Sequence, residues 1–251
     1  MGKKAMVTGA SGGIGEVFAT ALAKEGWAVT LVARSATKLD ELASKLPGAS
    51  AITADLSDPA DIARVAQGVR EGGYDLLVNN AGIGVYGRFD ETPLDTQLAM
   101  MRLNMDALVT LSHAFLATAK SGDALVNVAS TLGLLAFPTA SAYAATKYFV
   151  IGFSESLWHE QKARGVYVMV LAPGATITNF HSAAGGTEKN APPAGVSQTP
   201  EQVVAVARAA LAARSSPMVV SGFSNKAMVF MSRFMPRWAV VDMMGSFAPK
   251  S

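Results

Sequence analysis

A doubly wound parallel α/β sheet with helices on both faces is the fold this sequence predicts, and three observations predict it. Short β-branched runs alternate with longer helical stretches along the whole of the 251 residues. Most of the strand runs are apolar throughout rather than alternating, as a parallel strand covered on both faces must be. No linker, internal repeat or low-complexity segment divides the chain, so residues 1–251 read as one domain. Strand–helix alternation within one domain calls for right-handed crossovers and a parallel sheet.

The elements follow in order. Lys4–Thr8 predicts the first strand, and glycines lead from it into a helix over Gly13–Glu25. Trp27–Ala33 and Thr37–Leu46 form the next strand–helix pair, and Ala49–Thr53 a third strand. Ser57 and Asp58 stand before Pro59, cap residues ahead of a proline that suits a first helical turn, and predict a helix over Pro59–Glu71. Asp75–Asn79 is the fourth strand, and Thr92 precedes one long helix over Pro93–Lys120. Strands at Ala124–Ala129 and Val166–Leu171 flank a helix over Ala142–Arg164. Thr199, with Glu201 and Gln202 following, opens a helix over Pro200–Arg214, and Met218–Val220 is the last strand.

Two segments leave this alternation. Thr178–Gln198 reads as a long loop of the kind that usually serves function. Farther on, six of the twelve methionines lie at or beyond Met218. Met228, Met231 and Met235 fall at helical spacing with Phe234 and Trp238 on or near the same stripe, so residues 225–248 predict a helical tail broken near Pro236. Core packing or a subunit interface is the first reading of that stripe. A cover over a substrate pocket is the second, because methionine surfaces adapt to varied apolar ligands. Peripheral membrane contact is the third, the basic residues being few.

Composition removes several classes of function. Half the residues are apolar and 16% are charged, against about 25% in ordinary globular proteins, which excludes a disordered chain. A net charge of +2 is too weak for a nucleic-acid surface. The absence of cysteine excludes disulfides, thiolate ligands and cysteine nucleophiles. His113, His159 and His181 have no ligand spacing, so no metal site is expected. No apolar run approaches the ~18 residues of a spanning helix, and no signal-peptide core is present, so a soluble cytoplasmic protein is expected.

The chemistry-bearing residues cluster at predicted strand ends. Thr8-Gly9-Ala10-Ser11-Gly12-Gly13-Ile14-Gly15 joins the first strand to the first helix. Glycines there let backbone approach a pyrophosphate, and the helix amino terminus offers N–H groups and a favourable dipole. The spacing is G-x-x-x-G-x-G rather than the strict G-x-G-x-x-G, so by itself it reads equally as a glycine-rich turn. Tyr143 and Lys147 stand four apart in a helical stretch and share a face. An ammonium beside a phenol favours the phenolate and lowers its pKa from about 10.

These segments, with Asn79-Asn80-Ala81-Gly82 between them, stand in the order, spacing and strand-end positions of the short-chain dehydrogenase/reductase family. From about Lys4 to Thr178, and more loosely to Ser221, the chain resembles that family in its compact form. The resemblance implies a Rossmann-like fold and four side chains that carry the reaction. Tyr143 would exchange a proton with the substrate oxygen, and Ser130, thirteen residues before it, would hold that oxygen as charge develops. Lys147 would tune Tyr143 and grip the nicotinamide ribose, and Asn104 would position water beside the lysine. For the dinucleotide, the resemblance places Gly9, Ser11, Gly13, Ile14 and Gly15 at the pyrophosphate, and Asp55 and Leu56 at the adenine. It places Asn80, Ala81 and Gly82 along the ribose, and Pro173, Gly174, Thr176 and Thr178 at the nicotinamide carboxamide.

Cofactor choice rests on the end of the second strand. An NAD enzyme of this family usually has an acid there to accept from the ribose hydroxyls. Here Ala33 takes that place and Arg34 follows, with Ser35 and Lys38 near enough to assist. A guanidinium can bind a 2′-phosphate bidentately, so NADP(H) is the implied cofactor. Many NADP-binding relatives also carry a basic residue in the glycine loop, where this chain has Ser11 and Gly12. The implied activity is hydride transfer between NADP(H) and the carbonyl or secondary alcohol of an apolar small molecule. A dinucleotide-sensing binding protein is the alternative, and the intact set of Asn104, Ser130, Tyr143 and Lys147 argues against it. Leu132, Leu134, Leu135 and Phe137 read as pocket wall or core, and a homo-oligomer, dimer or tetramer, is expected.

Overall fold

Seven parallel strands form one sheet in the computed structural model, which describes residues 2–186 and 197–248. The strands are β1 (Lys4–Thr8), β2 (Ala28–Ala33), β3 (Ser50–Thr53), β4 (Leu76–Asn79), β5 (Ala124–Val128), β6 (Tyr167–Ala172) and β7 (Met218–Val220). Their order is β3-β2-β1-β4-β5-β6-β7, with every neighbouring pair parallel. From β1 the chain winds outward to β3, then returns past β1 to β4 and winds the other way. That is the doubly wound sheet the alternation predicts, and its strand order reverses between β1 and β4.

Both faces are covered, which is why the strands read as unbroken apolar runs. On one face Ala5, Val7, Val126 and Met169 pack against Phe18 and Leu22 of α1 (Gly13–Lys24), Leu39 of α2 (Ala36–Lys45), and Val203 and Ala207 of α8 (Pro200–Ala213). On the other, Met6, Leu77, Leu125 and Val168 meet Ile62 and Val65 of α3 (Pro59–Gly72) and Leu111 and Phe115 of α5 (Leu108–Thr118). Ser35, Asp58 and Thr199 accept hydrogen bonds from the first turns of α2, α3 and α8 and set where those helices begin.

The single helix expected over Pro93–Lys120 is instead three segments. α4 (Leu94–Met101) passes through a π-helical turn, Arg102–Ala107, into α5. The physical reason lies at Asn104, which is buried and ties its amide to the backbone of Ile83 across the chain. An extra residue per turn lets it reach that partner, and such π turns recur at functional sites.

β4 and β5 carry a polar thread through the core. Asn79 Nδ2 donates to Asn127 Oδ1 and to Ser112 Oγ, each at 3.0 Å, and Asn127 Nδ2 donates to Ser154 Oγ at 3.0 Å. Ser112 lies on α5 and Ser154 on α6 (Ser141–Gln161), so the thread ties both central strands to two neighbouring helices on one face of the sheet.

The tail forms two helices, α9 (Phe223–Ser232) and α10 (Arg237–Phe247), broken at Pro236 as the sequence predicts. Among the described residues between β6 and α8 there is one short helix, α7 (Phe180–Ala183); within the expected Thr178–Gln198 loop, residues 187–196 lie outside the described part. Val240 and Met244 of α10 pack with Leu135 and Met228. Of the predicted stripe, however, Met228 alone turns inward, while Met231, Phe234 and Trp238 face solvent at 58%, 71% and 71% exposure. Core packing is therefore the wrong reading for those three. Among the described residues no helix is long and apolar enough to cross a membrane.

Asn127→Ala removes an acceptor from Asn79 and a donor from Ser154, both buried. Each group left unpaired in the core costs about 1–3 kcal/mol. The urea midpoint should fall correspondingly with an unchanged slope, and an unchanged midpoint would show that the thread does not stabilise the fold.

Candidate active site

At the carboxyl ends of the strands, where β1 and β4 part, a cleft of about 1730 Å³ opens across the molecule. Its floor is the turn from β1 into α1. Gly9 has φ +66° and Gly13 φ +58°, values that favour glycine. A side chain on Gly15 would meet the Gly9 carbonyl at 2.3 Å, and one on Gly9 would meet Asn80 Nδ2 at 2.8 Å. Above Gly12 there is open space, and α1 has no side-chain cap, so its first N–H groups point into the cleft. Backbone that close, ending on uncapped helix N–H groups, suits a pyrophosphate.

Asn80 fastens this floor to β4. Its Nδ2 donates to Thr8 O at 2.9 Å and Gly9 O at 3.3 Å, while the backbone N–H groups of Asn80 and Ala81 donate to Thr8 Oγ1 at 3.0 Å. The Asn80 side chain is thus spent on the scaffold, while Ala81 and Gly82 continue along the cleft wall.

At one end of the cleft stand Arg34, Ser35, Lys38, Asp55 and Leu56. Arg34 is exposed, and among the described residues no hydrogen bond or ion pair engages its guanidinium. Ser35, expected to assist it, accepts from Lys38 N at 3.4 Å as the cap of α2. Two hydrogen bonds from Ser57, helped by the nearby Arg34 charge, hold the Asp55 carboxyl below its ordinary range.

At the other end Tyr143, Lys147 and Ser130 converge. Tyr143 and Lys147 stand one helical turn apart on α6, both buried, and Ser130 follows directly on β5 and its neighbour Ala129. Ser130 Oγ accepts from Leu132 N at 3.2 Å and also bonds Tyr143, so it is both a turn cap and a cleft group. Lys147 Nζ donates to Val128 O at 3.0 Å and lies 5.8 Å from the Tyr143 ring centroid. Burial lowers the lysine to about 8. Burial pushes the Tyr143 phenol well above its ordinary value, the Tyr86 phenol adds to this, and the Ser130 hydrogen bond acts against both. In the protein alone, then, Lys147 does not bring Tyr143 toward neutrality; desolvation outweighs it.

Asn104 stands behind the lysine. Its Oδ1 accepts from Ile83 N at 3.0 Å, and its Nδ2 donates to Ile83 O at 3.0 Å and Thr146 Oγ1 at 3.1 Å. A side chain on Gly82 would come within 3.1 Å of Asn104 Oδ1 and 3.4 Å of Lys147 Nζ, so glycine keeps that passage open. Pro173, Gly174, Thr176 and Thr178 complete the wall after β6. Thr178 Oγ1 accepts from Phe180 N at 3.2 Å, at the start of α7, and Thr176 Oγ1 donates to Gly174 O at 3.0 Å.

Every predicted site residue except Asn104 and Gly15 lines the cleft, and these two support it from behind. Sequence reasoning did not single out Tyr86; Phe180 belongs to the expected functional loop, and Asn225, Met244 and Phe247 to the tail, one reading of which is a pocket cover, and all five line the cleft. Phe180 packs at 5.6 Å from the Tyr143 ring, and Asn225 fills the space a side chain on Gly174 would need. Leu132 and Phe137 line the cleft, whereas Leu135 is buried with the tail, so the predicted apolar wall divides between pocket and core.

Comparison with known proteins fits this geometry. The family model for short chain dehydrogenase matches residues 3–189. Mouse dehydrogenase/reductase SDR family member 7B is 32% identical over 188 residues, 70% of this chain, and the match spans 58% of that relative's length. Among solved structures, a short-chain dehydrogenase from Sphingobium yanoikuyae in complex with NADPH is 30% identical, with a TM-score of 0.81 over 92% of this chain and 94% of that one. The bulky-bulky ketone specific alcohol dehydrogenase from Comamonas testosteroni is 27% identical, with a TM-score of 0.77 over 92% of each chain. The chain belongs to the short-chain dehydrogenase family, a family of oxidoreductases.

Lys147 yields a test of the cleft's charge. Its ammonium, the form that attracts a polyanion, exists below about pH 8 and is lost above it. Affinity for a nicotinamide dinucleotide, read by quenching of tryptophan fluorescence, should stay level below that pH and fall as one proton is lost. A profile level well into the alkaline range would mean that Lys147 takes no part in binding.

Proposed function

We propose that this protein reduces the carbonyl of a bulky apolar small molecule with NADPH, and that Tyr143 donates the proton. The convergence of Tyr143, Ser130 and Lys147 at one end of a dinucleotide-shaped cleft carries this reading. The uncapped first turn of α1 holds the pyrophosphate, and Arg34, with Lys38 beside it, binds the 2′-phosphate. Its guanidinium, unpaired among the described residues, supports that choice, as does the NADPH complex of the Sphingobium relative. Bound NADPH supplies the hydride that reduces the carbonyl carbon.

This chain's residues do the rest. Ser130 Oγ donates to the carbonyl oxygen and fixes its place as negative charge grows there. Tyr143 gives that oxygen a proton. Burial raises its pKa and so keeps the phenol protonated in the protein alone. Lys147 stabilises the phenolate left behind and holds the nicotinamide ribose. Asn104 keeps the Ile83 segment pinned beside Lys147 and so shapes the route by which solvent protons restore Tyr143. The substrate side, walled by Leu132, Phe137, Phe180, Met228 and Met244, excludes water and favours apolar bulk. The Comamonas enzyme, named for bulky ketones, supports that class. Exposed Leu94, Leu98 and Met101 on α4 and Phe149 on α6 support the homo-oligomer as well.

Tyr143→Phe keeps the ring and removes the donor. Turnover of a bulky aryl ketone should fall by about 10²–10⁴ while NADPH affinity survives, and near-normal turnover would overturn the mechanism. Arg34→Ala should weaken NADPH binding by about ten- to a hundredfold, the worth of a charge-assisted hydrogen bond, and leave NADH nearly unchanged. Equal loss for both dinucleotides would remove Arg34 from the 2′-phosphate.

A further inference from the structure

Helix α9 carries its apolar stripe on the wrong side for a soluble helix. Phe223, Ala227, Phe230 and Met231 recur at i, i+4, i+7 and i+8, Phe234 follows just past the helix end, and all are exposed. Asn225, Val229 and partly Met228 turn to the protein. A surface helix ordinarily buries its apolar stripe and shows polar residues to water. Phe223 here is 88% exposed, Phe230 and Phe234 pack on each other at 5.2 Å without shelter, and Trp238 extends the patch past Pro236. Contiguous apolar surface of this kind marks an interaction site.

Charge decides what covers it. Lys226, Arg233 and Arg237 rim the patch, all exposed and, among the described residues, without an ion pair, and Asp242 is the single acid between residues 223 and 248. A twofold dimer through this face would set these cations against their own copies. An anionic lipid surface complements them, and a tryptophan beside phenylalanines suits the headgroup boundary. The patch also adjoins the cleft, since Ser224, Asn225 and Met228 of α9 and Met244 and Phe247 of α10 line it.

We infer that the outward face of α9, with Trp238 at the start of α10, docks this protein on the surface of an anionic lipid bilayer. Docking holds the cleft mouth against the phase in which an apolar carbonyl compound collects. The inference goes beyond the oxidoreductase reading and is tested without turnover.

The full chain is floated with phosphatidylcholine vesicles with and without phosphatidylserine. Wild-type protein should float with the phosphatidylserine vesicles, and less so as salt rises. Arg233→Glu with Arg237→Glu should lose the preference for phosphatidylserine by about fivefold or more per charge. Phe230→Ser with Phe234→Ser should reduce flotation on phosphatidylserine vesicles by about tenfold or more. Both Phe positions are exposed, so thermal unfolding and NADPH affinity should match wild type and show that the variant folds. Absence of flotation, or flotation unchanged in the phenylalanine variant, would overturn the inference. So would sedimentation showing that the same variant dissociates a wild-type dimer, because a second copy would then be the occupant.

Discussion

The site depends on how the chain is held where it reverses between β1 and β4. Strand order turns there, and the crevice left beyond the strand ends is where a ligand can lie against backbone. One hydroxyl secures the two sides. Thr8 Oγ1 receives the N–H groups of Asn80 and Ala81, and the Asn80 amide returns to the Thr8 and Gly9 carbonyls. The glycine floor therefore cannot shift relative to β4. From β4 the same few residues reach Gly82, where Asn104 and Lys147 close in. The glycine floor and the Tyr143–Lys147 end of the cleft are two ends of one clasped segment.

Burial then sets the chemistry. Lys147 is held away from water with a backbone carbonyl as its partner, and Tyr143 is enclosed beneath Phe180. Desolvation favours the neutral form of each, so the unliganded site holds a protonated phenol beside a lysine near its titration point. A developing negative charge on Tyr143 would draw the lysine to its ammonium form. The pair is thus arranged to respond to the reaction rather than to sit as a standing ion pair, which burial would penalise.

Much of this was legible in the sequence, for a physical reason. Strands covered on both faces must be continuously apolar, and backbone that meets a phosphate must be glycine, so β1, β4, β5, β6 and the β1–α1 turn declare themselves locally. Tyr143 and Lys147 share a face by helical geometry alone, and Ser130 follows from its place at a strand end. What depends on distant contact was not legible. The π turn at Asn104 interrupts no apolar spacing; it arises because Ile83, twenty-one residues away, supplies the partners. Asn225 and Gly174 meet only through the winding of the sheet. In the tail, periodicity identified helices and their break at Pro236. It could not say which face turns inward, because the residues that receive Met228 and Met244 lie on another segment, at Leu135.

If a carbonyl carbon is reduced directly in this cleft, hydride passes from the dinucleotide to that carbon, and isotope transfer reports it. NADPH deuterated at C4 of the nicotinamide, in each of its two stereoisomers, is incubated with the full protein and a bulky aryl ketone in ordinary water. One stereoisomer, and not the other, should deliver a single deuterium to the carbinol carbon of the product alcohol. Product alcohol with no deuterium from either stereoisomer, or dinucleotide binding without any alcohol formed, would contradict it.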